Sequence, residues 1–305
     1  MKTKIICIVG PTASGKTSLS VEVAKALNGE IISADSMQIY KNMPVATAVA
    51  TKEERQSVPH HLVEFLNNDE NFSVAEFVKL ASLKIDDIVS RHKVPIIVGG
   101  TGLFVDSLVK NIAFSNVGVN DSIREKLNQK SNEDLYKLLI SVDENAAKDI
   151  HPNNRKRVVR ALELYYGGIT KTQQNENSMI NESPYDALYL GINYRDRQVL
   201  YDRINLRVDL MVKNGLVDEA KKIYELSTGT SKQAIGHKEI MPYINGLITL
   251  DEATDNLKKE TRHYAKRQLT WFRKNENINW LYADELCKQD LIDNAIKISE
   301  NFLKG

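Results

Sequence analysis

Residues 5–18, IICIVGPTASGKTS, constrain this chain more than any other stretch. An apolar run leads into G-x-x-x-x-G-K-T at residues 10–17, and a helix-like segment follows. That order is a Walker A loop set between a strand and a helix. Gly10 and Gly15 let the backbone turn tightly, so that several N–H groups converge on one anion. Gly10, Pro11, Thr12, Ala13, Ser14, Gly15, Lys16 and Thr17 together read as a diphosphate- or nucleotide-binding loop. Lys16 supplies a point charge to the phosphates, Thr17 a hydroxyl for Mg²⁺, and the following helix its positive end. A bound di- or triphosphate is expected; the motif does not say what is done with it.

The segments around this loop predict an α/β fold. Residues 30–34, EIISA, and 94–98, VPIIV, read as short buried strands, and apolar residues recur at helical spacing over 72–89. Continuous apolar strands alternating with helices argue for a P-loop NTPase-like parallel sheet flanked by helices. In such sheets the ligand sits beyond the carboxyl ends of the strands. Three polar loops fall there: 10–17, 35–38 and 99–102. From about residue 112 the character changes, and 122–129, 132–142, 144–150 and 153–166 read as helices with no strand. Residues 170–183 are polar and read as a mobile loop. Strand character returns at 187–192, helices follow, and 279–282 reads as an edge strand. The expected organisation is a discontinuous catalytic core, 1–112 and 186–305, holding an all-helical insertion, 113–185.

Composition excludes several classes. With 305 residues and a formal net charge of +1, the chain is not globally basic, so a nucleic-acid site must be local. No run approaches the roughly 18 apolar residues of a membrane span. The first apolar run is too short, and too promptly followed by the phosphate loop, for a signal peptide. The two cysteines, Cys7 and Cys287, predict neither a disulfide nor a zinc site. A cytoplasmic monomer is the expectation. His60 and His61 are adjacent on a stretch without predicted structure and receive no metal role. Trp271 and Trp280 read as core.

Asp35 follows a buried strand on the same sheet edge as the phosphate loop. It can cap the next turn, or act as a general base or Mg²⁺ ligand near the reactive end of the phosphate. Ser36 and Gln38 stand beside it, and a Gln amide both donates and accepts toward a base edge. In Gly99-Gly100-Thr101-Gly102 the glycines predict a turn needing positive φ, with Thr101 held where backbone approaches a ligand. Basic residues cluster at 155–160 and 258–274, the second with Tyr264, Trp271 and Phe272 interleaved. Such runs are ordinarily solvated helix faces. In a chain so nearly neutral, segregated positive charge points to phosphate-backbone binding.

Taken in order, GPTASGKT at 10–17, ADSMQIY at 34–40, GGTGLF at 99–104, HPNNRKRVVRALE at 151–163, AIGHKE at 234–239 and KRQLTWFRK at 266–274 resemble bacterial tRNA dimethylallyltransferases. The motifs span nearly the whole chain. Phe104 stands where family members usually carry Tyr. The resemblance implies transfer of a dimethylallyl group from dimethylallyl diphosphate to N6 of the adenosine 3′ to the anticodon, adenosine 37, in tRNAs reading codons that begin with U. It implies Asp35 as the base, Thr101 and Lys16 as its catalytic partners, and Ser36, Met37 and Gln38 bordering the adenine. It implies Mg²⁺ as cofactor, with Thr17 as ligand. It also implies tRNA contacts at Arg124, Lys156, Arg157, Arg160, Lys266, Arg267 and Arg273, and at residues 233–239. Two alternatives share the loop and the sheet: a P-loop kinase of nucleotides or small molecules, and an enzyme that prenylates free AMP or ADP. Neither has a use for long basic helices.

Overall fold

The computed structural model describes residues 2–114, 121–178, 182–226 and 229–305. The chain forms two compact units, Met1–Val109 with Pro184–Gly305, and Lys110–Ser183.

The first unit is built on a six-stranded, wholly parallel sheet. Its strands are β1 (Thr3–Val9), β2 (Gly29–Ser33), β3 (His60–His61), β4 (Val94–Gly99), β5 (Tyr185–Asn193) and β6 (Ile278–Tyr282). The spatial order is β3-β2-β4-β1-β5-β6. Ile5, Ile6, Cys7, Ile8 and Val9 of β1 are all fully buried because helices cover both faces. The side-chain period of two sorts them. Ile5, Cys7 and Val9 pack with Phe77, Ile85, Phe104 and Leu108 on one face. Ile6 and Ile8 pack with Leu19, Val23, Ile292 and Ala295 on the other. Each such aliphatic side chain contributes about 1.5–3 kcal/mol on burial.

β2, β4 and β1 are neighbours, in register through Ile31↔Ile96 and Ile6↔Ile96. The loops leaving their carboxyl ends are therefore adjacent, and these are the three polar loops singled out in the sequence. Helix Val74–Ser90 starts at Ser73, which closes a capping box with Glu76. Helix Leu250–Phe272 starts the same way, at Thr249 with Glu252.

The second unit is helical in its described residues: Asp121–Asn128, Asn132–Val142, Glu144–Asp149, Arg155–Tyr166 and Lys171–Ser178. Its core gathers Leu127, Leu135, Leu139, Ala147, Val158 and Leu162.

The structure corrects several expectations. His60–His61 is an edge strand rather than irregular chain, because Ile31 and Ile32 of β2 offer it a free edge. His61 Nε2 lies 2.7 Å from Glu30 Oε2. Within the polar stretch 170–183, Lys171–Ser178 is helical. Its start is fastened by reciprocal bonds between Thr170 and Gln173, and Thr172 N donates to Asp143 Oδ2 at 2.9 Å. Residues 179–181 of that stretch lie outside the described residues. Among the described residues no helix is long and apolar enough to cross a membrane.

Candidate active site

The phosphate loop is shaped by three residues in left-handed or related positive-φ conformations: Gly10 at +150°, Ala13 at +61° and Gly15 at +97°. Gly15 is the N-cap of helix Lys16–Ala26 and carries no side-chain cap. The helix start is therefore open to an anion. Lys16 Nζ donates to the Gly10 and Pro11 carbonyls at 3.0 and 2.6 Å. Desolvation, with Arg207 nearby, lowers the Lys16 ammonium to about 7, and Asp35 opposes the shift. Two further side chains brace the loop from outside. Arg203 Nε donates to Ala13 O at 2.9 Å, and the Tyr194 hydroxyl to Ser14 O at 3.3 Å.

Asp35 leaves the end of β2 in a tight turn. Its Oδ1 accepts from the Met37 and Gln38 amides at 2.9 and 3.3 Å. The capping reading and the open carboxylate are thus compatible, since the side chain still lines the cavity. Thr101 sits one loop away. Its Oγ1 accepts from Ser36 N at 3.1 Å and donates to Ser36 Oγ at 3.4 Å, tying the two loops together. Gln38 accepts from Ser33 Oγ at 3.0 Å and donates to Thr47 O at 3.3 Å, so its amide is held rather than free to rotate. Met37 packs inward against the cluster of Ile39, Tyr40 and Met43.

None of the three glycines at 99–102 has a positive φ. They are required by close approach instead. An added Cβ would stand 2.1 Å from Ala34 O at Gly99, 2.1 Å from Gln268 Nε2 at Gly100 and 2.2 Å from Trp271 Cδ1 at Gly102. Trp271 is packed against the core as expected, and its Nε1 donates to Asp106 Oδ2 at 3.0 Å. Phe104 is buried and stacks on Phe77 with ring centroids 4.4 Å apart.

These parts enclose a cavity of about 400 Å³. Thr12, Ala13, Ser14, Gly15, Lys16 and Thr17 form one wall; Asp35, Gln38, Gly99 and Gly100 form another. Arg203, Arg207 and Tyr264 complete it, with Leu206 and Leu210 at the side. A cationic floor facing a carboxylate suits a polyanionic leaving group on one side and a proton-bearing nucleophile on the other. The structure thus brings together the expected loop residues, Asp35 and Gln38 at one cavity, with Ser36 and Thr101 directly behind.

Arg203, Arg207, Tyr264 and Gln268 are site residues that sequence reasoning missed. Arg203 and Arg207 stand four apart, on one face of helix Arg197–Lys213. That spacing was their only signal.

The expected RNA-facing residues fall in two places. Lys266, Arg267 and Arg273 are exposed along or just after helix Leu250–Phe272. Lys266 and Arg267 line a shallow basic depression with Thr270, Trp271 and Lys274. In the helical unit, Lys156 and Arg157 are exposed on the first turn of Arg155–Tyr166. Arg124 and Arg160 both bind the buried Glu163, at 2.6 and 3.2 Å, while their own side chains remain about 40% exposed. Of residues 233–239, Ala234, Gly236 and His237 are buried, Ile235 and Glu239 are half-buried, and only Gln233 and Lys238 are exposed. His237 is fully buried, and its Nε2 lies 2.8 Å from Glu219. Glu219 also accepts from Val45 N and Ala46 N, at 2.8 and 2.9 Å. This motif therefore braces the scaffold behind the cavity.

A cradle of this kind on a parallel sheet is shared by many enzymes, and comparison with known proteins decides among them. Residues 38–275 match the family model described as IPP transferase. A tRNA dimethylallyltransferase of Thermoanaerobacter sp. (strain X514) is 48% identical over 97% of this chain and 98% of its own length. That of Halalkalibacterium halodurans is 45% identical over 100% of this chain and 98% of its own. The crystal structure of the full-length tRNA isopentenylpyrophosphate transferase from Bacillus halodurans is 42% identical, with a TM-score of 0.76, covering 99% of this chain and 97% of that one. A eukaryotic dimethylallyltransferase, described as acting on tRNA, is 30% identical with a TM-score of 0.86, covering 99% of this chain and 80% of that one. Similarity of this extent covers the phosphate loop, the Asp35 turn and the basic helix alike, and the chain belongs to the IPP transferase family.

Proposed function

We propose that this protein transfers the dimethylallyl group of dimethylallyl diphosphate to N6 of adenosine 37, 3′ to the anticodon, in tRNAs that read codons beginning with U. The observation that carries the reading is the Asp35 carboxylate lining the same cavity as Lys16 and the phosphate loop. The allylic C1–O bond breaks and the N6–C1 bond forms. The diphosphate leaves into the loop, where Lys16, the open helix start, Arg203 and Arg207 offset its developing charge. The N6 proton passes to Asp35, a step worth about 10²–10⁴ in rate. Thr101, through Ser36, steadies the edge on which the adenine sits.

The Thr17 hydroxyl, a hard oxygen donor at the phosphate loop, suits Mg²⁺, which binds few protein ligands and keeps substrate phosphate and water. Thr17 would hold it, and its charge would further favour departure of the diphosphate. Lys266, Arg267 and Arg273, with Arg124, Lys156, Arg157 and Arg160, would contact the anticodon stem-loop through its phosphates. The adenine must leave its stack to reach such a cavity, which costs little in a loop. A tRNA substrate accords with a cytoplasmic enzyme. The relatives named above are transferases of an isoprenoid group, which favours this reading over a kinase.

The test is direct. The protein is mixed with anticodon stem-loop RNA, dimethylallyl diphosphate and Mg²⁺, and the RNA is weighed by mass spectrometry. A gain of one prenyl group on one adenosine is expected, and no gain on any adenosine refutes the reading. Asp35→Asn should abolish the gain while leaving pyrophosphate affinity largely intact; loss of both would make Asp35 chiefly part of the Mg²⁺ site.

A further inference from the structure

The buried side of helix Leu250–Phe272 is the stripe Ala253, Leu257, Thr261, Ala265, Gln268 and Phe272. Two of the six are polar. Thr261 donates back to Leu257 O of its own helix at 2.7 Å. Gln268, only 5% exposed, instead reaches two other loops. Its Oε1 accepts from Thr12 N at 2.8 Å and its Nε2 donates to Gly100 O at 3.0 Å. The first partner is in the phosphate loop and the second is next to Thr101.

Those loops leave the neighbouring strands β1 and β4, whose last register pair is Val9↔Gly99. Among the described residues no backbone hydrogen bond joins the loops beyond that pair. A side-chain amide accepts and donates at once without carrying charge, which a bridge from an N–H to a carbonyl demands. Gly100 leaves room for it, since a Cβ there would stand 2.1 Å from Nε2. Tyr264, one turn earlier, lies against both Thr101 and Gln268.

We propose that Gln268 is a positioning residue, whose amide fixes the diphosphate cradle relative to the Thr101–Asp35 edge before substrate arrives. By holding the Thr12 N–H it removes one donor from the nest and sets the direction of the rest. Preorganised donors need no rearrangement as charge develops. The proposal rests on the transfer reading for its kinetic consequence; the bridge itself is measurable without turnover.

Two variants test it. Q268M keeps the length and loses both bonds. Q268E keeps the acceptor for Thr12 N and, when ionised, turns a carboxylate toward Gly100 O. When protonated, its O–H donates there and the original pattern returns. In Q268M kcat should fall by about 10²-fold, as for a misplacement near 1 Å, with KM for dimethylallyl diphosphate changed by less than about threefold. Amide hydrogen exchange in the free protein should quicken together in peptides spanning 10–17 and 99–104. For Q268E the ratio of its kcat to that of the unsubstituted protein should climb roughly tenfold as pH is lowered from about 8 to 6, as the carboxyl takes up its proton.

An unchanged kcat in Q268M, faster exchange in one loop alone, or a pH-independent Q268E ratio each overturns the proposal. If Q268M does not fold, the Q268E ratio decides. If the unsubstituted protein transfers no prenyl group, the transfer reading falls, and the paired exchange response alone decides whether Gln268 bridges the loops.

Discussion

Replacing Gly99 by alanine puts a methyl where β2 passes into the Asp35 turn. The new Cβ would stand 2.1 Å from the Ala34 carbonyl oxygen and 2.5 Å from its carbonyl carbon. Ordinary contact begins near 3.4 Å, so the two backbones must part by about 1.3 Å. No flexible side chain can absorb this. What gives is the pairing at the end of the strands, Ala34 N to Val98 O at 2.8 Å and Thr101 N to Ala34 O at 3.3 Å. Asp35 follows Ala34 directly, so the displacement passes to the carboxylate. A shift of about 1 Å in a reacting group costs on the order of 10²-fold in rate, and that is the expected loss of kcat. Overpacking should also cost about 1–3 kcal/mol of stability. At about 2–4 °C per kcal/mol, Tm should fall by roughly 2–12 °C. Gly246→Ala is the control. Gly246 has a φ of +71° and nothing within 4 Å, so alanine there strains a turn far from any clash and should leave kcat unchanged. The assay is single-turnover transfer to a stem-loop RNA at saturating dimethylallyl diphosphate, with calorimetry alongside. A G99A enzyme that keeps more than about a third of the normal rate would refute the reasoning, because the tolerance assumed for Asp35 would be wrong.

Other outcomes follow from the same geometry. Glu219→Ala strips the partners from Val45 N, Ala46 N and His237 Nε2 at once, and urea unfolding should show a loss of about 3–5 kcal/mol. Hydrogen bonds from Arg91, then Lys93 and His61, hold the Glu30 carboxyl well below the usual carboxylate range despite its burial. That network therefore stabilises the fold above the ordinary carboxylate pKa and loses its contribution as pH falls through the lowered one. Glu30→Gln should lose less stability than the unsubstituted chain between about pH 5 and 2, measured by thermal melts across that range. Removing Lys266 and Arg267 together should reduce the salt dependence of stem-loop affinity, lowering the log–log slope by about 1.4 if each meets one single-strand phosphate. An unchanged slope would take those side chains off the RNA.

The phosphate loop and the buried strands were legible because each depends on residues close together in the chain. A Walker loop needs its glycines, lysine and threonine within eight positions. Edge strand His60–His61 was not legible, since a two-residue pairing has no periodicity and its histidines no apolar signature. The glycines at 99–102 were noticed for the wrong physical reason. Positive φ is a local property that sequence suggests, whereas the approach of Ala34, Gln268 and Trp271 is visible only in three dimensions. Arg203 and Arg207 sat on a helix with charged residues spread along its whole length, so nothing local set these two apart. Gln268 is the extreme case, for its partner Thr12 lies 256 positions away. A polar residue in the apolar stripe of its helix was a usable hint.

The order of the strands carries a last consequence. Acid and anion cradle leave β2 and β1, which are separated by β4 alone. Neighbouring strands stand about 4.8 Å apart, so these two departure points are roughly 10 Å from one another. The gap that must admit an allylic carbon and an amine is thus gauged by the hydrogen-bonded lattice of the sheet. Side chains can trim its edges, but resetting the gauge would take the gain or loss of a whole strand.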